Sequence, residues 1–202
     1  MSLLGRNGAG RSTTMKTIMG QVPAIGIVRF NGERIDGRAP HVIARRGLGY
    51  VPDDRAIFPG LTLRENLLLG IKSASVNARW STDDCLSLFP LLHKRVDVAG
   101  GALSGGEQQL LAMCRTLMGD PDLIMIDEPT EGLAPMMVEL VRSLLRRIAE
   151  RRIAVLLIEQ RQTIALDLSH RLYVMGQGRI VFDGTPQSFD ANPAVRREWL
   201  EV

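Results

Sequence analysis

Hydrophobic positions along the chain follow two periods. Short continuous apolar runs end at Ser2-Leu3-Leu4, Gly49-Tyr50-Val51, Leu123-Ile124-Met125-Ile126 and Ile153 to Ile158. Runs of this length suit strands buried on both faces, as in a parallel sheet. Between them the spacing lengthens to that of helices. Amphipathic helices are expected over Ser12 to about Met19, Thr62 to Leu69, Glu107 to Met118 and Val138 to Glu150, and over Asp83 to Leu92 with a break at Pro90. A short helix over Pro40 to Arg46 tolerates the proline at its first position, where no N–H is needed. Gly26 to Ile35 alternates and turns on Asn31-Gly32, the strongest short hairpin signal, and Leu172 to Phe182 turns through Gly176-Gln177-Gly178. Gly184-Thr185-Pro186 leads to a C-terminal helix ending near Trp199.

Composition narrows this picture. A chain of 202 residues with 45% apolar content can bury one sizeable core. Its apolar runs are too short to cross a bilayer, so any membrane association is expected to come through partners. Cys85 and Cys114 fall in helix-like stretches and read as small core hydrophobes, while His41, His93 and His170 lack ligand spacing. The charge is +3 with a pI near 9.2, carried by arginines spread along the chain. No basic block interleaves with aromatics, so no nucleic-acid partner is expected.

The chemistry sits at strand ends. Gly5-Arg6-Asn7-Gly8-Ala9-Gly10-Arg11-Ser12-Thr13 has the spacing of the Walker A loop, whose backbone N–H groups cradle phosphates ahead of a helix start. The usual lysine is Arg11, a planar fork on a longer stem. Leu103-Ser104-Gly105-Gly106-Glu107 reads as a capping box with two glycines that expose backbone N–H groups, a second start suited to an anion. The run from Leu123 delivers adjacent carboxylates, Asp127 and Glu128, stopped by Pro129. One suits a metal and the other a water. Asp53-Asp54 follows Val51-Pro52 and reads either as a magnesium-reaching carboxylate or as a solvated turn.

Together these motifs resemble the ATP-binding cassette (ABC) ATPases, with LSGGE as their signature and Asp127-Glu128-Pro129 as the end of their Walker B strand. The resemblance covers essentially the whole chain. It implies an α/β P-loop NTPase with a mostly parallel core sheet, a small antiparallel β lobe and an inserted α-helical lobe at about residues 60–119, the whole of 1–202 being one ABC domain. Val51-Pro52, Ile57-Phe58-Pro59-Gly60-Leu61-Thr62, Leu88-Phe89-Pro90-Leu91-Leu92, Glu107-Gln108-Gln109, Gly132-Leu133-Ala134-Pro135 and Ile158-Glu159-Gln160 are similar to the LivF-type ATPase subunit of branched-chain amino acid importers. Urea and short-chain amide importers use very similar subunits.

The resemblance implies ATP and Mg²⁺ as ligands. ATP would meet Gly5, Asn7, Gly8, Ala9, Gly10, Arg11, Ser12 and Thr13 of one chain and Ser104, Gly105 and Gly106 of another. Mg²⁺ would meet Ser12, Asp53 and Asp127, and Glu128 and Gln160 would be catalytic. Asp53 stands at the Q-loop, Glu131-Gly132-Leu133-Ala134 at the D-loop, and Gln160 at the switch histidine. His170, on the helix after that strand, stays outside the site. Implied partners are a second copy or sister ATPase, integral-membrane permease subunits and, indirectly, a periplasmic solute-binding protein, with the chain on the inner face of the membrane. The family also carries strands and an adenine-stacking aromatic upstream of the loop, whereas Met1 precedes Gly5 by four residues. The antiparallel lobe is therefore expected to lack strands and expose an edge. Arg11 and the short start leave a second reading open, a hydrolysis-defective or truncated nucleotide-binding subunit. A soluble ABC ATPase of DNA repair or translation fits less well, because the chain has no coiled-coil insertion, second cassette or basic arm.

Overall fold

Short apolar runs become the centre of a sheet here because helices cover both of their faces. The computed structural model describes residues 1–72 and 78–201. In chain order its strands are β1 (Ser2–Gly5), β2 (Arg29–Phe30), β3 (Glu33–Arg34), β4 (Leu48–Val51), β5 (Leu123–Asp127), β6 (Ala154–Ile158), β7 (Leu172–Gly176) and β8 (Arg179–Gly184). The main sheet has the order β4-β5-β6-β1-β7-β8. Its first five strands are parallel, and β8 returns antiparallel to β7. This is the mixed α/β architecture with a parallel core that the sequence predicts.

Alternation along the strands splits the core into layers. Met125 packs with Leu3, Leu48, Ile158 and Met175 beneath α1 (Arg11–Ile18) and α2 (Pro40–Arg45). Its neighbours Ile124 and Ile126 point the other way, toward α6 (Gly105–Leu117) and α7 (Pro135–Glu150). One stripe of α7, Val138, Val141, Leu144, Leu145 and Ile148, is buried there, each side chain stabilising the fold by about 1.5–3 kcal/mol. A third cluster around Leu4, Ala165, Val174 and Phe189 closes the far edge.

Between β4 and β5 the chain builds α3 (Leu63–Leu69), α4 (Thr82–Leu88), α5 (Pro90–His93) and α6. Three of these starts are capping boxes: Thr62 with Glu65, Ser81 with Asp84, and Ser104 with Glu107. Pro90 breaks the expected helix in two, as its missing N–H requires.

The small antiparallel element is shorter than the alternation of Gly26 to Ile35 predicts. It consists of β2 and β3 across Asn31-Gly32, both residues at positive φ (48° and 81°), while Ile25 and Ile27 are exposed. The C-terminal helix is also two helices, α9 (Pro186–Asp190) and α10 (Pro193–Trp199), because Pro193 can start a helix but cannot continue one. His170 lies beyond the end of α8 (Gln162–Leu168), in an exposed turn before β7 rather than on the helix. Cys85 and Cys114 are both buried and free, as small core residues. Among the described residues, no helix is long and apolar enough to cross a membrane.

Candidate functional site

Parallel pairing of β1, β4, β5 and β6 brings four carboxyl ends to one rim of the sheet. Ligands of open α/β sheets bind outside such ends. The loop after β1 runs from Gly5 to the cap of α1, and two glycines there are dictated by geometry. A side chain on Gly5 would meet the Met175 carbonyl oxygen at 2.5 Å, and Gly10 caps α1 at φ 102°, a region that L side chains avoid. Ala9 N–H donates to the Arg6 carbonyl, and the Ala9 carbonyl accepts from Gly178 N–H of the β7–β8 turn, so the loop turns back on itself and is tied to that turn. The backbone N–H groups at the start of α1 are an anion cradle.

Arg11 is 4% exposed, and its position is the main feature that spacing could not show. Its Nη2 donates to Asn7 Oδ1 at 3.1 Å and to Glu128 Oε1 at 2.7 Å, while Nη1 has no partner among the described residues. Gln160 Nε2 donates to the other oxygen of Glu128, also at 2.7 Å. Both carboxylate oxygens of Glu128 are therefore held by donors. Each oxygen keeps a second lone pair for a further donor.

Asp127 is the opposite case. Its side chain is fully buried, and neither carboxylate oxygen has a hydrogen-bond partner among the described residues. Burial pushes its pKa up, and the charges of Asp53 and Glu128 push in the same direction, while the Ser12 hydroxyl and Arg11 oppose them. A buried carboxylate with two orphaned oxygens suits a cation. No three His, Cys, Asp or Glu side chains converge on a metal among the described residues. That pattern fits Mg²⁺, which takes one or two carboxylates and keeps water and phosphate oxygens for the rest. Asp53 is exposed, at the start of a turn in which Arg55 and Ala56 have positive φ. Its charge reaches Asp127, Tyr50 and Glu131. The pKa of Glu131 is raised by its hydrogen bond to Glu128 and by that group's like charge.

Two further residues escaped the sequence reading. Glu159 is 2% exposed, accepts from Thr130 Oγ1 at 2.8 Å, and accepts from the backbone N–H groups of Gln160 and Arg161. It locks the loop after β5 to the loop after β6 and so holds Gln160 beside Glu128. Tyr50 has a buried hydroxyl without a partner, and burial together with Asp127 and its acidic neighbours raises its pKa. A buried acid at a strand end was the available signal for Glu159; nothing in the sequence pointed to Tyr50.

The structure thus gathers Gly5 to Thr13, Asp53, Asp127, Glu128 and Gln160. It does not gather Ser104, Gly105 and Gly106 with them. Ser104 caps its own helix, Gly105 lies against the Arg55 guanidinium and Gly106 against the Met137 side chain. No hydrogen bond or ion pair joins these three to the phosphate loop among the described residues.

These groups share one rim of the sheet, and residues 1–131 match the family description "ABC transporter". The chain belongs to the ABC transporter family. It is similar to the high-affinity branched-chain amino acid transport ATP-binding protein BraG of Pseudomonas aeruginosa, 38% identical over 99% of this chain and 87% of that protein. It is also similar to the lipopolysaccharide export system ATP-binding protein LptB of Haemophilus influenzae, 33% identical over 99% of this chain and 85% of that protein. A solved ATP-binding subunit of an ABC transporter superposes with a TM-score of 0.82 at 28% identity, covering 99% of this chain and 84% of the other. Within the ABC family, then, relatives of both amino-acid transport and lipopolysaccharide export share this framework.

Proposed function

We propose that this chain binds ATP with Mg²⁺ and hydrolyses it as part of an importer of branched-chain amino acids or related small solutes such as urea and short amides. The observation that carries the reading is the shared rim. The phosphate loop, Asp127 with both oxygens free and Glu128 beside Gln160 stand at adjacent carboxyl ends of β1, β5 and β6. Similarity to BraG supports the solute class.

In this reading the backbone of Gly5 to Thr13 holds the phosphates, and Ser12, Asp127 and Asp53 would hold Mg²⁺, which would neutralise phosphate charge. Glu128 takes the proton of the attacking water, and Gln160 donates to the γ-phosphate. Gln160 has no titrating proton, so it orients and does not shuttle. Ser104, Gly105 and Gly106, remote from their own phosphate loop, would complete the site of a second copy or a sister ATPase. Permease subunits would carry the solute, fed by a periplasmic solute-binding protein. The chain would then lie on the inner face of the membrane, with no nucleic acid involved.

The Arg11–Glu128 pair favours one variant of this reading, a subunit that binds nucleotide and hydrolyses it slowly. The pair ties up the proton acceptor, and a displaced transition-state cation costs on the order of a hundred- to a thousandfold in rate. Steady-state phosphate release by the purified chain and by Arg11→Lys, with fluorescent-ATP binding in parallel, tests both. A gain of orders of magnitude for Arg11→Lys identifies the arginine as the brake. Failure of both proteins to bind ATP overturns the function.

A further inference from the structure

β4 and β5 run parallel with Tyr50 opposite Met125 and Val51 opposite Ile126. Side chains alternate along a strand, so Met125 and Asp127 share one face of β5. Tyr50 packs in the same apolar cluster as Met125, whereas Val51 and Ile126 belong to the cluster on the other face. Tyr50 and Asp127 are therefore diagonal neighbours on one face. Two residue rises along the strand and one strand spacing across put their backbones about 8 Å apart, a gap that a tyrosine side chain bridges. Their mutual influence agrees with this placement. Burial raises the pKa of Tyr50, and the charge of Asp127 adds to it ahead of those of Asp53 and Asp54.

The polar atoms of this pair are complementary and unused. The Tyr50 hydroxyl is buried without a partner among the described residues, and so are both carboxylate oxygens of Asp127. One side chain brings a donor and the other brings acceptors. The ring of Tyr50 is packed against an apolar cluster that phenylalanine would fill equally well. Only the hydroxyl distinguishes tyrosine there, and a buried hydroxyl without a hydrogen bond costs stability. Its use lies with the carboxylate beside it.

We propose that Tyr50 is a positioning residue for the cation site: its hydroxyl donates to one oxygen of Asp127 and leaves the other for Mg²⁺. The inference rests on the ATPase reading and adds the choice of cation. Groups that hydrogen-bond a metal's ligand fix its orientation and tune its affinity. Mg²⁺ takes single oxygens in a strict octahedron, whereas Ca²⁺ readily accepts both oxygens of one carboxylate. An Asp127 with one oxygen engaged by Tyr50 offers a cation a single oxygen, and that favours Mg²⁺. Phenylalanine at this position would free the second oxygen and relax the preference.

The test uses the full chain and Tyr50→Phe, each saturated with a non-hydrolysable ATP analogue, and follows the melting temperature as Mg²⁺ or Ca²⁺ is titrated in. Analogue binding in EDTA should be the same for both proteins, because the phosphate loop is unchanged. In Tyr50→Phe the Mg²⁺ concentration giving half of the melting shift should rise by about tenfold to a hundredfold, and the Ca²⁺ concentration by much less. A purely structural tyrosine would weaken the analogue and both cations together. A Mg²⁺ requirement that stays at the wild-type value, or an equal loss for Mg²⁺ and Ca²⁺, overturns the proposal. The unaltered protein gives an independent reading that does not depend on how the variant folds. The chain has two tyrosines, so carbon-13 labelling at tyrosine Cζ gives two NMR signals, assigned with Tyr173→Phe. Mg²⁺ added to the analogue complex should move the Tyr50 signal, and Ca²⁺ should move it less; a Tyr50 signal that stays in place overturns the proposal as well. Wild-type protein that binds no analogue defeats the ATPase reading and this assignment with it, whereas bound analogue with an unmoved Mg²⁺ requirement defeats the Tyr50 assignment alone.

Discussion

The nucleotide rim and the seam between α4 and the core are built from the same residue types, arginine and aspartate or glutamate, with opposite electrostatic results. At the seam arginines and aspartates pair directly. Arg79 pairs with Asp120 and Asp122 and donates to the Pro121 carbonyl, while Arg151 pairs with Asp84, lies 4.0 Å over the Trp80 ring and donates to the Arg79 carbonyl. Asp84 is accordingly held well below the usual carboxylate range, chiefly by its hydrogen bond to Arg151. At the rim Asp127 is buried with no partner and its pKa is pushed up, as is that of Glu131. The seam uses charge to fix two parts of the fold. The rim leaves Asp127 without a partner among the described residues, a pattern common at functional sites.

The largest effect that could break this comparison is at Glu128. Glu128→Gln should lower steady-state hydrolysis by about a hundred- to ten-thousandfold and lower the melting temperature by only a few degrees, because the amide oxygen keeps one of the two contacts made by Arg11 and Gln160. A melt that falls by many degrees would show that the Arg11–Glu128 pair is structural. Next is Arg11→Lys, expected to raise phosphate release by about a hundredfold if the clamp on Glu128 is the brake. An unchanged rate with unchanged ATP binding moves the limitation elsewhere.

Stability changes follow. Arg151→Ala removes the contacts to Asp84, Trp80 and Arg79 and should cost about 2 kcal/mol in urea denaturation. Asp127→Asn should go the other way and stabilise the nucleotide-free chain at neutral pH by about 1 kcal/mol, the low end for an unsatisfied buried polar group. It should also abolish any Mg²⁺-dependent shift in the melt.

The smallest and sharpest test is the pH dependence of those two aspartates. Asp84 has a folded pKa below its ordinary 3.8, so its stabilisation is complete above that value and is lost as pH falls through the folded pKa. Asp127 has a folded pKa above 3.8, so its protonated form favours folding. Stability from that group is complete below 3.8 and is lost as pH rises through the folded value. Melting Asp84→Asn and Asp127→Asn from pH 3 to 7 should therefore show differences from wild type of opposite sign at neutral pH, both shrinking in acid. Equal signs would dissolve the contrast between seam and rim.

Much of this protein was legible without its structure because local rules and tertiary needs agree. Loop spacing from Gly5 to Thr13, the capping box at Ser104 and the apolar run into Asp127-Glu128 are set by φ angles, helix caps and strand length, which act over a few residues. They determined the parallel core and the strand ends on which the candidate residues stand. What the sequence could not decide depends on pairs far apart in the chain. Arg11 and Glu128 are 117 positions apart and Thr130 and Glu159 are 29 apart, and each meets only because β1, β5 and β6 align in register. Periodicity fixes which face of an element is buried; only packing fixes which charges are left without an answer.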